Sequence, residues 1–454
     1  MERVDVAIVG GGPAGSSAAR AAAERDADVL VVEKGVPRAD REGLGPDSTD
    51  AAGMLDYWVD LMDYGPEELP EDLILRDLDG AVFAGPSASV TLEDTGIDAS
   101  YDRFGFTFHR ARFDDWLREE AETAGASYEL GTSVNDVTST FEDGSFTHTL
   151  TFADGEQLEA DALVLADGPQ RTVTIDALDQ FMPEERSTAQ LLGPDHANHI
   201  AYQEHRRIPD ELFDPELIKF WWGVIPGHTA YPWIFPNDDN VARVGLTMPI
   251  GTDLDTVDDR SAYPLLEPDD EDVPSGRVYL RRLLAWRYPE YDLEDFPLVE
   301  DRGKRDGTEA YPISSTRPIE SPTLANVAVV GGAMGATSAF HEGGDHVAVR
   351  TGKIAGRLAA TDALDRYNRE WKHAIGDEVL RSVTLAEMAR DMRPADWDET
   401  FATVDRMLSI GGSRYRQALN AGLSGLSLVA QYKWTRRGFR DGAYVQLAES
   451  EYVL

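Results

Sequence analysis

The chain has no cysteine in its 454 residues, which excludes both a disulfide framework and a thiolate-ligated metal. Lysine is scarce: Lys34, Lys219, Lys304, Lys353, Lys372 and Lys433 are the only six among 42 basic residues, the rest being arginine. Against them stand 83 acidic residues, for a net charge of -41. With no basic stripe to neutralise phosphates, nucleic acid is not expected as a partner. No run approaches the roughly 18 apolar residues that span a bilayer. After Met1-Glu2-Arg3 the chain goes straight into VDVAIVGGG, so no leader with a charged start and an apolar segment is expected. A cytoplasmic location is expected. Molar salt shortens the Debye length to about 3 Å and removes most of the self-repulsion of such a charge, so the acidic, lysine-poor composition suits the salt-rich cytoplasm of an extreme halophile.

What is present is globular. The composition is 42% hydrophobic, and the length allows two or three domains. The first 35 residues read as strand, tight turn, helix, strand. Val4 to Val9 is apolar and β-branched, and Gly10-x-Gly12-x-x-Gly15 follows. Gly10 permits the turn, Gly12 lets a pyrophosphate approach the backbone, and Gly15 lets the helix pack close. Pro13 and Ala14 open that helix, whose N-terminus favours phosphate charge. Glu33 ends the second strand 18 residues past Gly15, placed to accept hydrogen bonds from a ribose, with Lys34 beside it. A lone glycine pattern is weak; a complete βαβ unit with the acid in place specifies a dinucleotide.

Two later segments favour FAD over NAD. In HRARFDDWL, Arg110 precedes Phe113, Asp114 and Leu117 at helical spacing, and in ADALVLADGPQRTV an apolar strand runs into Asp167-Gly168. With the N-terminal motif, and in this order, they resemble the aromatic hydroxylase-like flavoproteins and, among them, the geranylgeranyl reductase family. The resemblance implies that Arg110, Val134 and the Asp167-Gly168 turn lie against FAD. LANVAVVGGAMGATSAFHEGGDHVAVRTGKIAGRLA is similar to the family's closing flavin motif, matching at Gly331, Gly335, Gly343, Gly344, Gly352 and Gly356. There a helix N-terminus faces the flavin's pyrimidine ring and favours negative charge on it. Gly332 replaces the family's Asp, Ala339 its Pro, and Asp345 an apolar residue. Glu342 and Asp345 would put negative charge near the ring, for which a protonated His341 could compensate. The loop that often carries a family cysteine is VPRADREGLGPDST, where Gly43 and Gly45 would allow close approach to the flavin.

Between Asp167 and Gly331 the pattern changes to short aromatic runs broken by Pro, Gly and Asp, which reads as an antiparallel sheet. The stretch YPWIFP, Tyr231 to Pro236, resembles the family's Tyr-x-Trp-x-Phe-Pro signature, with Gly245 and then Thr247 where a Gly-x-Gly is usual. Tyr231, Trp233 and Phe235 share one face of a strand. With Trp221 and Trp222 of the preceding run, they would wall an apolar site for a prenyl chain. His196, His199 and His205 lack the carboxylate pattern of a metal site, and none is expected.

The expected architecture is α/β: a Rossmann-like FAD-binding domain (1–75, 100–172 and 305–365) split by an antiparallel substrate sheet (76–99 and 173–304), then a helical region (366–454). Its segment 417–440 gathers Leu423, Leu426, Leu428, Val429 and Trp434 with Lys433, Arg436, Arg437 and Arg440, a composition suited to peripheral contact with the inner membrane face. The resemblance implies an FAD-dependent reductase saturating double bonds of prenyl lipids, with ferredoxin or NAD(P)H as electron donor. The proton donor is open, with Tyr231 and His341 as candidates. Two alternatives stand beside it: a flavin-dependent hydroxylase of the same fold, and a flavin-binding protein without catalysis.

Overall fold

The computed structural model describes residues 2–37, 52–193, 197–314, 316–409 and 422–453. Gly43 and Gly45 lie outside them, as does His196. The strand Glu2–Val9 is central to the first sheet, paired in parallel with Val29–Glu33 on one side and Gln157–Leu165 on the other. Ser127–Leu130 and Val327–Val329 extend the parallel part, and Ser145–Phe152 and Val134–Glu142 add an antiparallel edge. Near-continuous Val, Ile, Leu and Ala in the central strands fit a sheet covered on both faces. One cover is the helix Pro13–Ala23, which packs on the helix Asp345–Ala359. Glycines make that approach possible: a Cβ at Gly352 would stand 2.0 Å from the Ala14 carbonyl oxygen, and one at Gly356 1.9 Å from that of Ala18.

The second sheet has seven strands in the order Thr308–Ile313, His199–Arg207, Val241–Pro249, Tyr231–Pro236, Leu217–Trp221, Gly80–Ala84 and Ser89–Leu92. All its pairings are antiparallel except that of Leu217–Trp221 with Gly80–Ala84. The helix Gly276–Arg287 covers one face, burying Tyr279, Leu280, Leu283 and Leu284 against Ile234, Val244 and Leu246. The opposite face carries Tyr231, Trp233 and Phe235. A small sheet of Gly53–Leu55, Gly105–Phe108 and Ile74–Leu78 lies between the two.

Three segments sit differently from the sequence expectation. Thr308–Ile313, expected in the FAD-binding part, is the edge strand of the second sheet, paired with His199–Arg207. Residues 173–193, expected in the substrate part, form short helices whose Ala177, Leu178, Phe181 and Met182 join the core of the first sheet. The C-terminal region is not separate. The helix Tyr367–Ala389 buries Trp371, Ile375 and Val379 in that same core, where Tyr444, Leu447 and Tyr452 also pack. The next helix, Pro394–Ser409, lays Trp397 and Phe401 against the aromatic face of the second sheet. Each misplacement involves contacts between residues far apart in the chain, which local composition does not encode.

Candidate active site

Two cavities meet between the sheets. The first, of about 590 Å³, follows the nucleotide motif. It is lined by Gly10, Gly12, Pro13 and Ala14 at the turn, by Glu33 and Lys34, by Arg110 and Val134, and by Asp167, Gly168, Gly332, Gly344 and Asp345. Gly10 has φ +99° and a Cβ there would meet the Ala166 carbonyl oxygen at 2.4 Å, whereas nothing lies within 4 Å of the Cβ position of Gly12. The open side of Gly12 is where a phosphate would approach the N-terminus of Pro13–Ala23, which has no side-chain cap. Gly15 is behind the lining, its Cβ position 1.8 Å from the Gly10 carbonyl oxygen; it brings helix and turn together.

Glu33 holds the turn from the other strand, accepting from Gly11 N–H at 2.6 Å and from Gly35 N–H at 2.5 Å. Asp167 lines the cleft, yet its carboxylate is engaged locally, accepting from the backbone N–H groups of Val173 at 2.7 Å and Thr174 at 3.1 Å. It shapes the turn into the helix Thr174–Asp179, and Gly168 (φ +77°) completes the turn. The cradle of bare backbone, the glycine turn and the free helix N-terminus fit FAD.

The family departures are compensated. A Cβ at Gly332 would stand 3.2 Å from Pro169 Cδ, so a larger side chain would be crowded there. Asp345, first residue of Asp345–Ala359, lies 3.5 Å from the Arg110 guanidinium, which also binds Asp114 at 2.9 Å. Glu342 is buried, and burial pushes its carboxyl up to about 8, outweighing the lowering effect of the Thr247 hydrogen bond. It is therefore neutral at pH 7. Thr247 Oγ1 donates to Glu342 Oε2 at 2.5 Å. The Thr that replaces the second glycine of the signature thus partners a Glu in the closing flavin loop.

The second cavity, of about 400 Å³, is mostly apolar. Tyr231, Trp233 and Phe235 form its wall with Trp222, Phe220 and Phe83. Phe340 stacks on Trp222 at a ring separation of 5.8 Å, and Trp397 and Phe401 pack behind Trp222. Three expected lining residues are elsewhere. Trp221 is on the other face of the sheet, in the core under Gly276–Arg287, with the Arg287 guanidinium 5.8 Å from its ring. The strand ends at Trp221 and side chains alternate, so only Trp222 faces the cavity. Pro236 is outside the lining; it ends its strand and its carbonyl accepts from Thr107 Oγ1 at 2.8 Å. Gly245 pairs with Trp233, and a Cβ there would meet the indole at 2.4 Å. It seats the ring without facing the cavity itself.

One end of this cavity is polar. The Trp58 indole stacks on His346 (4.0 Å between centroids, 2° between planes) and on His341 (5.1 Å). Burial pushes the His346 imidazole down to about 3, so it is neutral. Burial would raise the Glu378 carboxyl, but the neighbouring His341 and the Arg381 guanidinium paired with it hold it at about 2. His341 therefore faces Glu378, with Nε2 4.0 Å from Oε1, while its Nδ1 accepts from Gly343 N–H at 3.2 Å. The Tyr231 hydroxyl donates to the His341 carbonyl oxygen, and burial, then Glu342, push its pKa well above 10. Both sequence candidates for a proton donor are thus engaged elsewhere.

Sequence reasoning did not single out Trp58, Glu378 or Arg381, and treated Glu342 only as a charge. HEGGDH, with two histidines and two acids in six residues, was the one available signal. His199 and His205 share a strand but serve different partners, Glu342 at 3.6 Å and Glu309 at 3.4 Å. Among the described residues no cluster of three or more His, Asp or Glu could hold a metal, and no helix is long and apolar enough to cross a membrane.

The two cavities share Tyr311, Ile313, Glu342, Gly344 and Asp345. A dinucleotide cleft opening into an aromatic cavity defines an FAD-dependent oxidoreductase, and residues 5–76 match the family model described as FAD dependent oxidoreductase. The chain is 26% identical over 401 residues to a digeranylgeranylglycerophospholipid reductase of Methanothrix thermoacetophila, covering 85% of this chain and 87% of that one. The crystal structure of a geranylgeranyl bacteriochlorophyll reductase-like protein from Thermoplasma acidophilum superposes with a TM-score of 0.69 at 20% identity, over 97% and 99% of the two chains. A myxobacterial chondrochloren halogenase shares the fold at a TM-score of 0.58 and 18% identity, over 99% and 100%. The chain is an FAD-dependent oxidoreductase that is similar over most of its length to the geranylgeranyl reductases.

Proposed function

We propose that this enzyme saturates carbon–carbon double bonds in the prenyl chains of isoprenoid lipids, digeranylgeranylglycerophospholipids being the first class to test. The observation that carries this reading is the meeting of the aromatic cavity with the nucleotide cleft at Tyr311, Ile313, Glu342, Gly344 and Asp345. Gly10, Gly12 and the helix start at Pro13 would take the pyrophosphate of FAD, Glu33 its ribose, and Arg110, Gly344 and Asp345 the flavin end. When bound and reduced, FAD supplies hydride to one carbon of the double bond. Tyr231, Trp233, Phe235 and Trp222 hold the chain and exclude water. A prenyl chain offers them only apolar surface, which gains about 0.8 kcal/mol per buried methylene.

Electrons would come from ferredoxin or NAD(P)H. A headgroup must stay near a bilayer while its chain enters. The helix Gly422–Gly438 presents Trp434, 79% exposed, beside exposed Lys433 and Arg437, a surface suited to peripheral contact with the cytoplasmic leaflet. The test is mass spectrometry of geranylgeranylated phospholipid incubated with the FAD-loaded protein and a chemical reductant. Gain of two hydrogens per double bond is expected. Unchanged lipid, or a product that gains oxygen instead, overturns the reading.

A further inference from the structure

We propose that Glu342 is the acid that protonates the second carbon of the double bond, and that His199 resupplies its proton from the surface at His228. The inference rests on the saturation reading above. Addition of hydride to one carbon leaves the other to be closed by a proton, and that proton must come from a group reaching both cavities. Glu342 lines both. It sits on a strained residue of the closing loop (φ +60°), a conformation that the surrounding packing must hold.

Its two oxygens have different surroundings. Oε2 accepts from Thr247 Oγ1 at 2.5 Å. Oε1 is buried, has no hydrogen-bond partner, and lies 3.6 Å from His199 Nε2. An orphaned buried carboxyl oxygen is costly unless the group is neutral, and burial does raise this carboxyl to about 8.

Behind Glu342 a path runs outward. His199 is 1% exposed, and Thr229 Oγ1 lies 3.3 Å from its Nε2. Its ring stands edge-on to that of His228, 5.9 Å between centroids, and His228 is exposed in the loop before Tyr231–Pro236. Burial, then the neighbouring His228, push His199 down to about 4, so it is neutral and able both to accept a proton and to pass one on. Of the other groups near Glu342, Tyr231 is bound to the His341 carbonyl, His341 faces Glu378, and Asp345 pairs with Arg110.

In the step, the C=C π bond breaks, hydride adds to one carbon, and the Glu342 O–H proton goes to the other. As the far nitrogen of His199 takes a proton supplied from water through His228, its Nε2 proton passes to the carboxylate left behind and the ring stays neutral. Each double bond thus gains one hydride and one solvent-derived proton.

Two measurements test this. In pH-difference infrared spectra of the protein without substrate, the carbonyl band of a protonated carboxyl is expected to persist through neutral pH and to vanish in Glu342→Gln. In a single turnover with pre-reduced enzyme, Glu342→Gln is expected to bind FAD and accept electrons normally while saturation slows about 100-fold or more. Glu342→Asp recovers part of the loss, and His199→Phe spares a first saturation but slows those that follow. Saturation by Glu342→Gln within about twofold of the unsubstituted enzyme, or an infrared band absent from the unsubstituted protein, overturns the acid assignment alone. Failure of the unsubstituted enzyme to saturate any prenyl lipid overturns the saturation reading and this step with it.

Discussion

The nucleotide cleft is built from backbone, the aromatic cavity from side chains. Around Gly10, Gly12 and Gly15 the lining works because side chains are missing; around Tyr231, Trp233 and Phe235 it works because large ones are present. The glycine turn depends on one short stretch and, at Gly10 and Gly15, has no room for an added atom. A side-chain site is assembled from two sheets, a closing loop and the helices Tyr367–Ala389 and Pro394–Ser409, and can be altered piecemeal. The two should therefore fail differently.

The largest effect is expected in the cleft. Gly15→Ala puts a Cβ 1.8 Å from the Gly10 carbonyl oxygen, where only backbone can yield. Separation of helix from turn should abolish FAD binding and cost more than about 3 kcal/mol of stability. Purified protein should lack flavin absorbance. Retention of stoichiometric FAD would show that the turn is not the rigid cradle described above.

Next comes the junction. Glu342 is protonated in the folded chain up to about 8, against an ordinary value of 4.5. Between those values the unfolded chain has released its proton and the folded chain has not. Stability therefore falls as pH rises through this window, and the loss is complete above it. Glu342→Gln removes the penalty, so its stability relative to the unsubstituted protein should increase from pH 5 to pH 8 by a few kcal/mol, at about 1.4 kcal/mol per pKa unit. Denaturant midpoints at the two pH values measure it. A difference that does not change with pH would mean that Glu342 is ionised when folded.

A smaller loss should separate cavity from cleft. Gly245→Ala drives a methyl into the Trp233 indole, 2.4 Å away. Overpacking of this kind costs roughly 1–3 kcal/mol. The ring must tilt into the cavity, so KM for the prenyl lipid should rise while FAD content stays full. Loss of FAD in this variant would break the distinction between the two sites.

The same contrast explains what the sequence made legible. The glycine turn follows from a contiguous motif in which each glycine has one local reason; of the other residues expected at the cleft, Gly15 packs directly behind it and Gly343 lines the aromatic cavity instead. The aromatic wall was readable at Tyr231, Trp233 and Phe235 because strand alternation places them together. Its partners were not. Trp58, Phe340, Glu378 and Trp397 reach it from elements that only tertiary pairing brings near, and the pairing of Thr247 with Glu342 joins positions 95 residues apart. Thr247 read alone as a departure from the family and Glu342 only as a charge; together they form one hydrogen bond beside the junction. Thr308–Ile313 was assigned to the wrong half for the same reason, since its partner strand lies about a hundred residues earlier.

The smallest effect tests which face of the sheet the cavity occupies. Trp221 and Trp222 are adjacent and nearly equally buried, at 3% and 2% exposure, so stability alone cannot tell them apart. Replacing either by Phe should cost roughly 1 kcal/mol or a little more. Their consequences for substrate should differ, because Trp222 stacks on Phe340 inside the cavity while Trp221 packs under Gly276–Arg287. Trp222→Phe is expected to raise KM for the prenyl lipid several-fold with little change in kcat, since it removes contact that substrate and transition state use equally. Trp221→Phe should leave both constants within about twofold. Equal kinetic effects in the two variants would mean that the chain lies against both faces of the strand end, and that the wall at Tyr231, Trp233 and Phe235 is only part of the prenyl site.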